Sequence, residues 1–227
     1  TGVLVSLETE VNGTAGVTGM IGPRGVAVTP DGRHVYVAAA TGSAVVVFTR
    51  NLTTGALTWS STLTNASPGV SGIGGARAVA VTPDGRHVVV AGETDSGVAV
   101  FTRNLTTGAL TFAEAKINGI GGVSGIGGAS ALAFSPGGDA LYVAGFSDNS
   151  VAVFSRNASD GHLGFIEKET DGAGVPLVDG IAGARGVEVS PDGSLVLVAG
   201  ATDGKVAVFS RNPSGPQIHQ LDFLDSA

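Results

Sequence analysis

The sequence predicts an all-β fold, a β-propeller made of four-stranded antiparallel blades, and three observations support this prediction. First, the 227-residue chain repeats itself at a spacing of about 53 residues, and a fixed period of this size indicates one structural unit copied in tandem. Second, each copy contains four short runs of β-type residues separated by turn signals. Third, no segment carries the periodicity of an amphipathic helix. Four antiparallel strands in a unit of this length are typical of a propeller blade.

The repeat is close to literal in the first half of the chain. Val28–Val35 and Val81–Val88 both read VTPDGRHV, and Phe48–Leu57 and Phe101–Leu110 both read FTRNLTTGAL. Because the copies follow one another without interruption, we expect a single domain over residues 1–227, with an extra outer strand at one terminus. The expected repeats lie near residues 1–53, 54–106, 107–159 and 160–213, and a terminal strand covers 214–227.

The second copy illustrates the elements of one repeat. Its first two runs are joined by Pro83-Asp-Gly85, a tight turn in which the Asp side chain bonds to the backbone and Gly supplies a positive φ. The first three runs are almost entirely apolar, as expected of strands covered on both faces. The fourth alternates apolar and polar residues, which indicates a strand with one wet face. The four runs, named A to D, are Ala78–Thr82, Val88–Ala91, Val98–Thr102 and Leu110–Lys116.

The number of runs leaves the closure of the propeller open. The A–B–C triplet occurs four times, whereas D-like segments occur five times, beginning with Val3–Val11 and ending with Ile218–Leu224. Val3–Val11 could complete the last blade by pairing with Val206–Ser210, which would make Ile218–Leu224 a surplus strand. We expect a closed four-bladed ring, because an arc would leave two apolar blade faces in water. A fragment of a larger ring and an arc that oligomerises are the alternatives.

The motifs of the repeat resemble a known family. Arg24–Val37, followed by Val45–Phe48 and Thr54–Leu57, resembles the lactonase-like, or YVTN-type, β-propeller repeats. The resemblance covers essentially the whole chain and implies the propeller fold. Its motifs are specific for the blade and not for a reaction.

Arginine begins run A in three of the four copies, and Ser130 takes its place in the remaining copy. These positions are expected near the mouth of the central channel, where arginines can bind a carboxylate in bidentate fashion. The alternative is that each arginine pairs with a neighbouring loop carbonyl or acid. The candidate ligand-binding residues are Arg24, Arg77, Arg185 and Ser130.

Groups suited to proton transfer and metal binding are sparse. In relatives the arginine is commonly followed by histidine, whereas Gly25, Ala78 and Gly186 follow it here. His34 and His87 lie beyond the Pro-Asp-Gly turns, and we expect them to be exposed on the opposite face. The remaining histidines, His162 and His219, are expected on the rim.

Acidic residues cluster in the turns between runs B and C, where oxygen ligands for Ca²⁺ could gather. Turns capped by Asp or Asn explain the same residues without an ion. We predict no catalytic residue, no metal and no cofactor. The weak calcium candidates are Asp95, Asp148 and Asp203, with Glu93 beside the first of them.

The composition excludes several classes of partner. The net charge of −7 disfavours nucleic acid, because binding a polyanion requires a basic face. No apolar run is long enough for a membrane span, and the absence of cysteine excludes disulfides and thiolate sites. We expect the protein outside the cytoplasm.

The near-identity of the copies and the lack of an acid–base set favour a non-enzymatic binding or assembly module. Such a module would contact a protein or a glycan, or would self-associate through its terminal strands. One alternative is a lactonase-like hydrolase or lactonising enzyme in which Arg24, Arg77 and Arg185 orient a carboxylated substrate. Another is a structural subunit whose strands complete blades between chains.

Overall fold

The computed structural model describes residues 4–174, 177–212 and 220–226, and these residues form sixteen β-strands and no helix. Within them no helix could span a membrane. The strands are β1 (Pro23–Val28), β2 (His34–Ala39), β3 (Ala44–Arg50), β4 (Leu57–Thr64), β5 (Ala76–Val81), β6 (His87–Gly92), β7 (Gly97–Arg103), β8 (Leu110–Ile117), β9 (Ala129–Phe134), β10 (Ala140–Gly145), β11 (Ser150–Arg156), β12 (Leu163–Thr170), β13 (Ala184–Val189), β14 (Leu195–Gly200), β15 (Lys205–Arg211) and β16 (Leu221–Ser226).

Each set of four consecutive strands forms one antiparallel sheet, which confirms the predicted propeller blades. Blade 1 comprises β1–β4, blade 2 β5–β8, blade 3 β9–β12 and blade 4 β13–β16, and every sheet follows the order of the chain. The first strands, β1, β5, β9 and β13, contact one another in that order and line the hub. The fourth strand of each blade therefore lies at the rim.

Neighbouring blades pack face to face through their second and third strands. Between blades 1 and 2, Val45 and Val47 share a buried cluster with Val88 and Val90. Equivalent clusters join blade 2 to blade 3 and blade 3 to blade 4. Because both faces of an inner blade are covered in this way, the central residues of its second and third strands are apolar.

A polar contact, which we call the inter-blade clasp, accompanies each of these apolar interfaces. Arg103, at the end of β7, donates from Nη2 to Asp31 Oδ2 at 2.8 Å and contacts His34 Nδ1 at 2.7 Å. Its Nη1 donates to the carbonyl oxygen of Gly85. Since arginine can only donate, His34 Nδ1 must be the acceptor in this contact.

The clasp recurs with the period of the sequence. Arg156 of blade 3 donates to Asp84 at 2.5 Å and contacts His87 at 3.2 Å. Arg211 of blade 4 donates to Asp139 of blade 3 at 3.3 Å. One guanidinium thus joins each of blades 2, 3 and 4 to the Pro-Asp-Gly or equivalent turn of the blade before it.

The prediction that His34 and His87 are exposed is wrong. Their exposed fractions are only 2% and 1%, because each ring is covered by the next blade. Burial lowers the pKa of both imidazoles, and the charges of Arg103 and Arg156 lower it further. His162 is exposed at the rim as predicted, and His219 lies outside the described residues.

The prediction of a closed four-bladed ring is also wrong, because the blades form an arc. The hub strand β1 packs on β5 and β13 packs on β9, but β1 and β13 do not pack on each other in the described chain. The faces at the two ends of the arc therefore lack a neighbouring blade.

The sequence left open whether Val3–Val11 pairs with Val206–Ser210, and the described residues of these segments do not pair. Instead β16 completes blade 4 by pairing with β15, because it follows β15 directly along the chain. Residues 4–10 form no paired strand, and they lie beside blade 1, where Glu8 accepts a hydrogen bond from the backbone N–H of Leu57. Val3 and Ile218 fall outside the described residues.

We expect Gly108→Ala to destabilise the fold strongly. A Cβ at Gly108 would collide with the buried His34 ring, whereas a Cβ at Gly119 meets nothing within 4 Å. Both residues have a positive φ, 73° for Gly108 and 80° for Gly119. Gly119→Ala should cost about 1 kcal/mol from backbone strain alone, and Gly108→Ala about 2 to 4 kcal/mol. Denaturant unfolding of both variants measures the difference, and equal losses would contradict the packing described for His34.

We also expect the clasps to make stability depend on acid pH. Burial opposes ionisation of Asp84, but hydrogen bonds from Thr82 and from the Arg86 backbone, with the charge of Arg156, lower its pKa overall. A carboxyl group whose pKa is lower in the folded chain stabilises the fold above its unfolded pKa, and this contribution is lost as the pH falls. The free energy of unfolding should therefore decrease below about pH 4, and Asp84→Asn should make the decrease shallower. Identical pH profiles for both proteins would contradict this role.

Candidate functional site

The candidate site lies at the mouth of the hub, where the first strands of the blades begin. Arg24, Arg77 and Ser130 come from three different blades and line one cavity of about 390 Å³. They meet there because the repeat places the same position of each first strand next to the axis. The structure thus brings together three of the four predicted positions. The fourth residue, Arg185, is connected to Arg77 because both bind the Glu93 carboxylate.

Glu93 connects the arginines of blades 2 and 4. Its Oε2 accepts a hydrogen bond from Arg77 Nη1 at 2.7 Å, and its Oε1 accepts one from Arg185 Nη1 at 3.2 Å. The three side chains are 21%, 31% and 35% exposed for Arg77, Glu93 and Arg185, respectively. This carboxylate is therefore held between two guanidinium groups and remains open to water.

Phe146 fixes the position of Arg185. The guanidinium carbon lies 3.7 Å from the centre of the Phe146 ring, a cation–π contact that orients the planar group. Phe146 and Glu93 occupy equivalent places, each directly after the second strand of its blade. Two neighbouring copies thus contribute different side chains to one site.

Arg24 and Ser130 differ in how accessible their side chains are to a ligand. Arg24 is exposed, and no ion pair to it occurs within the described chain. Ser130 is only 5% exposed, and its Oγ lies 3.1 Å from the carbonyl oxygen of Ala144 and 2.8 Å from that of Ala184. We conclude that Arg24 is free to bind a ligand, while Ser130 mainly joins blades 3 and 4.

The net charge of the named side chains at the mouth is opposite in sign to the net charge of the whole chain. Arg24, Arg77 and Arg185 contribute three positive charges and Glu93 one negative charge, whereas the chain carries a net charge of −7. A concave site of positive charge raises the local concentration of anions. The mouth can therefore recruit an anionic small molecule and present a carboxylate to it.

The three calcium candidates do not meet. Asp95, Asp148 and Asp203 lie in separate blades, where they accept hydrogen bonds from the backbone N–H groups of Gly74, Gly127 and Ala182, respectively. Each joins the turn after the second strand to the loop before the first strand of the same blade, 21 residues earlier. Asp203 also belongs to a group with Asp171 and Asp179 whose carboxylate oxygens lie within 4.8 Å of one another. Lys205 Nζ binds Asp179 there, which partly neutralises the group.

Sequence reasoning considered Glu93 only as one of the acids near a possible calcium site and did not consider Phe146. A signal for them exists, because the residue directly after the second strand varies from copy to copy while its neighbours repeat. The four residues at this position are Ala40, Glu93, Phe146 and Ala201.

Four-stranded antiparallel blades that pack side by side around a hub define the class of protein as a β-propeller. The chain belongs to the family described as "Lactonase, 7-bladed beta-propeller", whose model matches residues 9–71 and 74–223. No curated protein sequence matches the chain.

Solved structures with the same arrangement of blades support this assignment of the fold. The chain is similar to a candidate 6-phosphogluconolactonase from Bacteroides uniformis, with 17% identity over 90% of this chain and 54% of that one and a TM-score of 0.73. It is also similar to a periplasmic gluconolactonase from Pseudomonas aeruginosa, with 24% identity over 90% of this chain and 53% of that one and a TM-score of 0.70. The chain thus spans about half the length of these structures.

Membership of the lactonase family corrects the functional prediction. The prediction of a non-enzymatic binding or assembly module is wrong, since the family match favours the enzymatic alternative. The argument from missing histidines considered only the residues next to the arginines in the sequence. It did not consider Glu93, which lies in the turn between the second and third strands, sixteen residues after Arg77.

Proposed function

We propose that this chain carries a lactone-processing site at the mouth of its hub, and that the substrate is a small lactone with an anionic group. The observation that supports the proposal is the placement of Glu93 between Arg77 and Arg185, beside a cavity that Arg77 shares with Arg24. The family and the gluconolactonase among the similar structures favour lactones of sugar acids as the substrate class.

Arg24 is the best candidate for holding the anionic group of the substrate. It lines the same cavity as Arg77, and within the described chain no acid neutralises it. A guanidinium binds a carboxylate or a phosphate through two parallel hydrogen bonds. This contact would fix the orientation of the lactone ring relative to Glu93.

Glu93 would act as the general base. In hydrolysis, a water molecule attacks the acyl carbon of the lactone and gives its proton to the Glu93 carboxylate. The bond between the acyl carbon and the ring oxygen then breaks, and the ring oxygen takes that proton, so that a hydroxy acid is released. The neighbouring arginines orient the Glu93 carboxylate through their hydrogen bonds.

Arg77 and Arg185 would stabilise the charge that develops on the carbonyl oxygen. Each uses Nη1 to hold Glu93 and retains further N–H donors, since a guanidinium has five. Donors that are already fixed before the reaction stabilise an oxyanion effectively. The stacking of Arg185 on Phe146 supplies part of this fixation.

The proposal predicts that Glu93→Gln abolishes most lactone hydrolysis. Glutamine keeps the size of the side chain but accepts no proton, so we expect a decrease in kcat of about a hundred- to ten-thousand-fold. Glu10→Gln, outside the hub, is the matched control. Arg77→Met should also inactivate, while Arg86→Met should not, because Arg86 lies on an exposed turn.

The measurement is proton release at constant pH with a panel of aldonolactones and carboxylated lactones. Turnover by the wild-type chain that is lost in Glu93→Gln and kept in Glu10→Gln supports the proposal. The absence of turnover of every lactone, or full activity of Glu93→Gln, would remove it.

A further inference from the structure

We propose that His34 and His87 form an acid-sensitive latch between the blades, which holds while both imidazoles are neutral and opens when they bind a proton. The latch acts at the interface between blades 1 and 2 and at the interface between blades 2 and 3. The inference is independent of the proposed function. It rests on the hydrogen bonds of the clasps, on the burial of the two rings and on the different residue at the third interface.

The clasps at these two interfaces require a neutral imidazole. Nη2 of Arg103 lies 2.7 Å from Nδ1 of His34, and Nη2 of Arg156 lies 3.2 Å from Nδ1 of His87. A guanidinium can only donate hydrogen bonds, and a neutral imidazole offers one nitrogen as the acceptor. In a protonated imidazole both nitrogens donate. Protonation therefore sets two donors and two positive charges against each other.

The rings cannot move away from the arginines while the blades stay packed. His34 and His87 are only 2% and 1% exposed. A Cβ at Gly108 or Gly161, on the following blade, would collide with the ring that packs there. Because a charged group that is buried without an acceptor is unfavourable, a protonated imidazole reaches water only when the blades separate. Uptake of a proton is thus coupled to opening of the interface.

The charges that face His34 oppose its protonation on balance. Burial lowers the pKa of this imidazole, and the charge of Arg103 from blade 2 lowers it further. Arg33, in the turn before β2, acts in the same direction, and Asp31 in that turn acts against it. The single carboxylate thus offsets only part of the two positive charges and of the burial.

His87 has the same environment with one additional acid. Burial is again the main cause of its lowered pKa, followed by the charge of Arg156 from blade 3, and Arg86 contributes in the same direction. Asp84 in the preceding turn and Asp160 of blade 3 raise the pKa, but they do not reverse the shift. Both histidines therefore stay neutral in the folded chain to a lower pH than in the unfolded chain.

This difference makes the latch respond to mild acid. A histidine whose pKa is lower in the folded chain stabilises the fold above its unfolded pKa of about 6.5, and this contribution is lost as the pH falls below that value. The folding equilibrium constant then decreases by up to about tenfold per pH unit for each histidine. The aspartates of the clasps lose their charge in a lower range, below about pH 4.

The interface between blades 3 and 4 provides an internal comparison. Ala140 occupies the position of His34 and His87, while Arg211 still donates to Asp139 at 3.3 Å. This clasp thus keeps its arginine and its acid but has no imidazole. We expect mild acid to loosen the first two interfaces and to leave this third one closed.

A carboxyl group at the rim of the third interface acts in the opposite direction. Burial, with the charges of Glu167 and Asp222, raises the pKa of Glu169 to about 7. A carboxyl group whose pKa is higher in the folded chain makes the fold more stable as the pH falls through that value. Mild acid therefore strengthens the contact of β12 with blade 4, so that the net pH dependence of the wild type combines two opposite contributions.

The latch is tested by denaturant unfolding between pH 7 and pH 5 of the wild type and of the double variant His34→Asn/His87→Asn. Asparagine offers an amide oxygen to the arginine but takes up no proton. We expect the folding equilibrium constant of the wild type to decrease, relative to that of the variant, by at least about tenfold over this range. Glu169 is present in both proteins, so its contribution cancels. His162→Asn, at the exposed rim, is the matched control and should keep the wild-type dependence.

Hydrogen exchange, corrected for the intrinsic effect of pH on the exchange rate, locates the opening. Between pH 7 and pH 5 the wild type should lose protection most in blade 2, which lies between the two histidines, whereas the double variant should retain it. If the variant does not fold, NMR titration of the imidazole protons in the folded wild type replaces it, and both rings should titrate below the pKa of a free histidine. Equal pH dependence of wild type and variant, an even loss of protection over the four blades, or ordinary titration of both rings in the folded chain would each overturn the proposal.

Discussion

The structure depends on one constraint, which is that a blade buries its inner strands only where another blade covers them. The valines of the second and third strands are fully buried in blades 2 and 3, and chemically similar residues are exposed at the free face of blade 4. Burial of apolar surface is the dominant favourable term in folding. The stability of each blade is therefore inseparable from that of its neighbours, as in other repeat proteins.

Polar contacts between neighbouring blades fix how the blades are aligned with one another. A guanidinium from the end of the third strand of blades 2, 3 and 4 reaches the acidic turn of the preceding blade, and at the first two interfaces it also contacts a buried histidine. Those histidines leave no room for a side chain at Gly108 and Gly161 on the following blade. The literal repetition of VTPDGRHV and FTRNLTTGAL is explained by these contacts, because both halves of a clasp must recur together.

Much of the fold could be predicted from the sequence, because the repeat determines which runs form each blade and which position reaches the hub. Closure could not be predicted in this way. Leu197, Ala199, Val206 and Val208 look like the residues that are buried in the inner blades, and nothing local in the sequence shows that no blade of the described chain covers them. The burial of His34 was missed for a related reason, since it depends on Arg103, which lies 69 residues away in the chain.

The candidate site was predictable in part. The arginines at the start of the first strands were found because they recur, whereas Glu93 and Phe146 were missed because they do not. The repeat places equivalent positions of every blade around the same axis. A site whose residues have different roles must therefore use positions at which the copies differ in sequence. The asymmetry at Ala40, Glu93, Phe146 and Ala201 meets this requirement within an otherwise regular arc.

Hydrogen exchange followed by mass spectrometry tests the central claim most directly. If burial by neighbouring blades determines stability, amides in the second and third strands of blades 2 and 3 should exchange most slowly. Those of β14 and β15 in blade 4, which is covered on one face only, should exchange markedly faster. Equal protection of all four blades would contradict this account, since it would mean that each blade is stable without a neighbour on both sides.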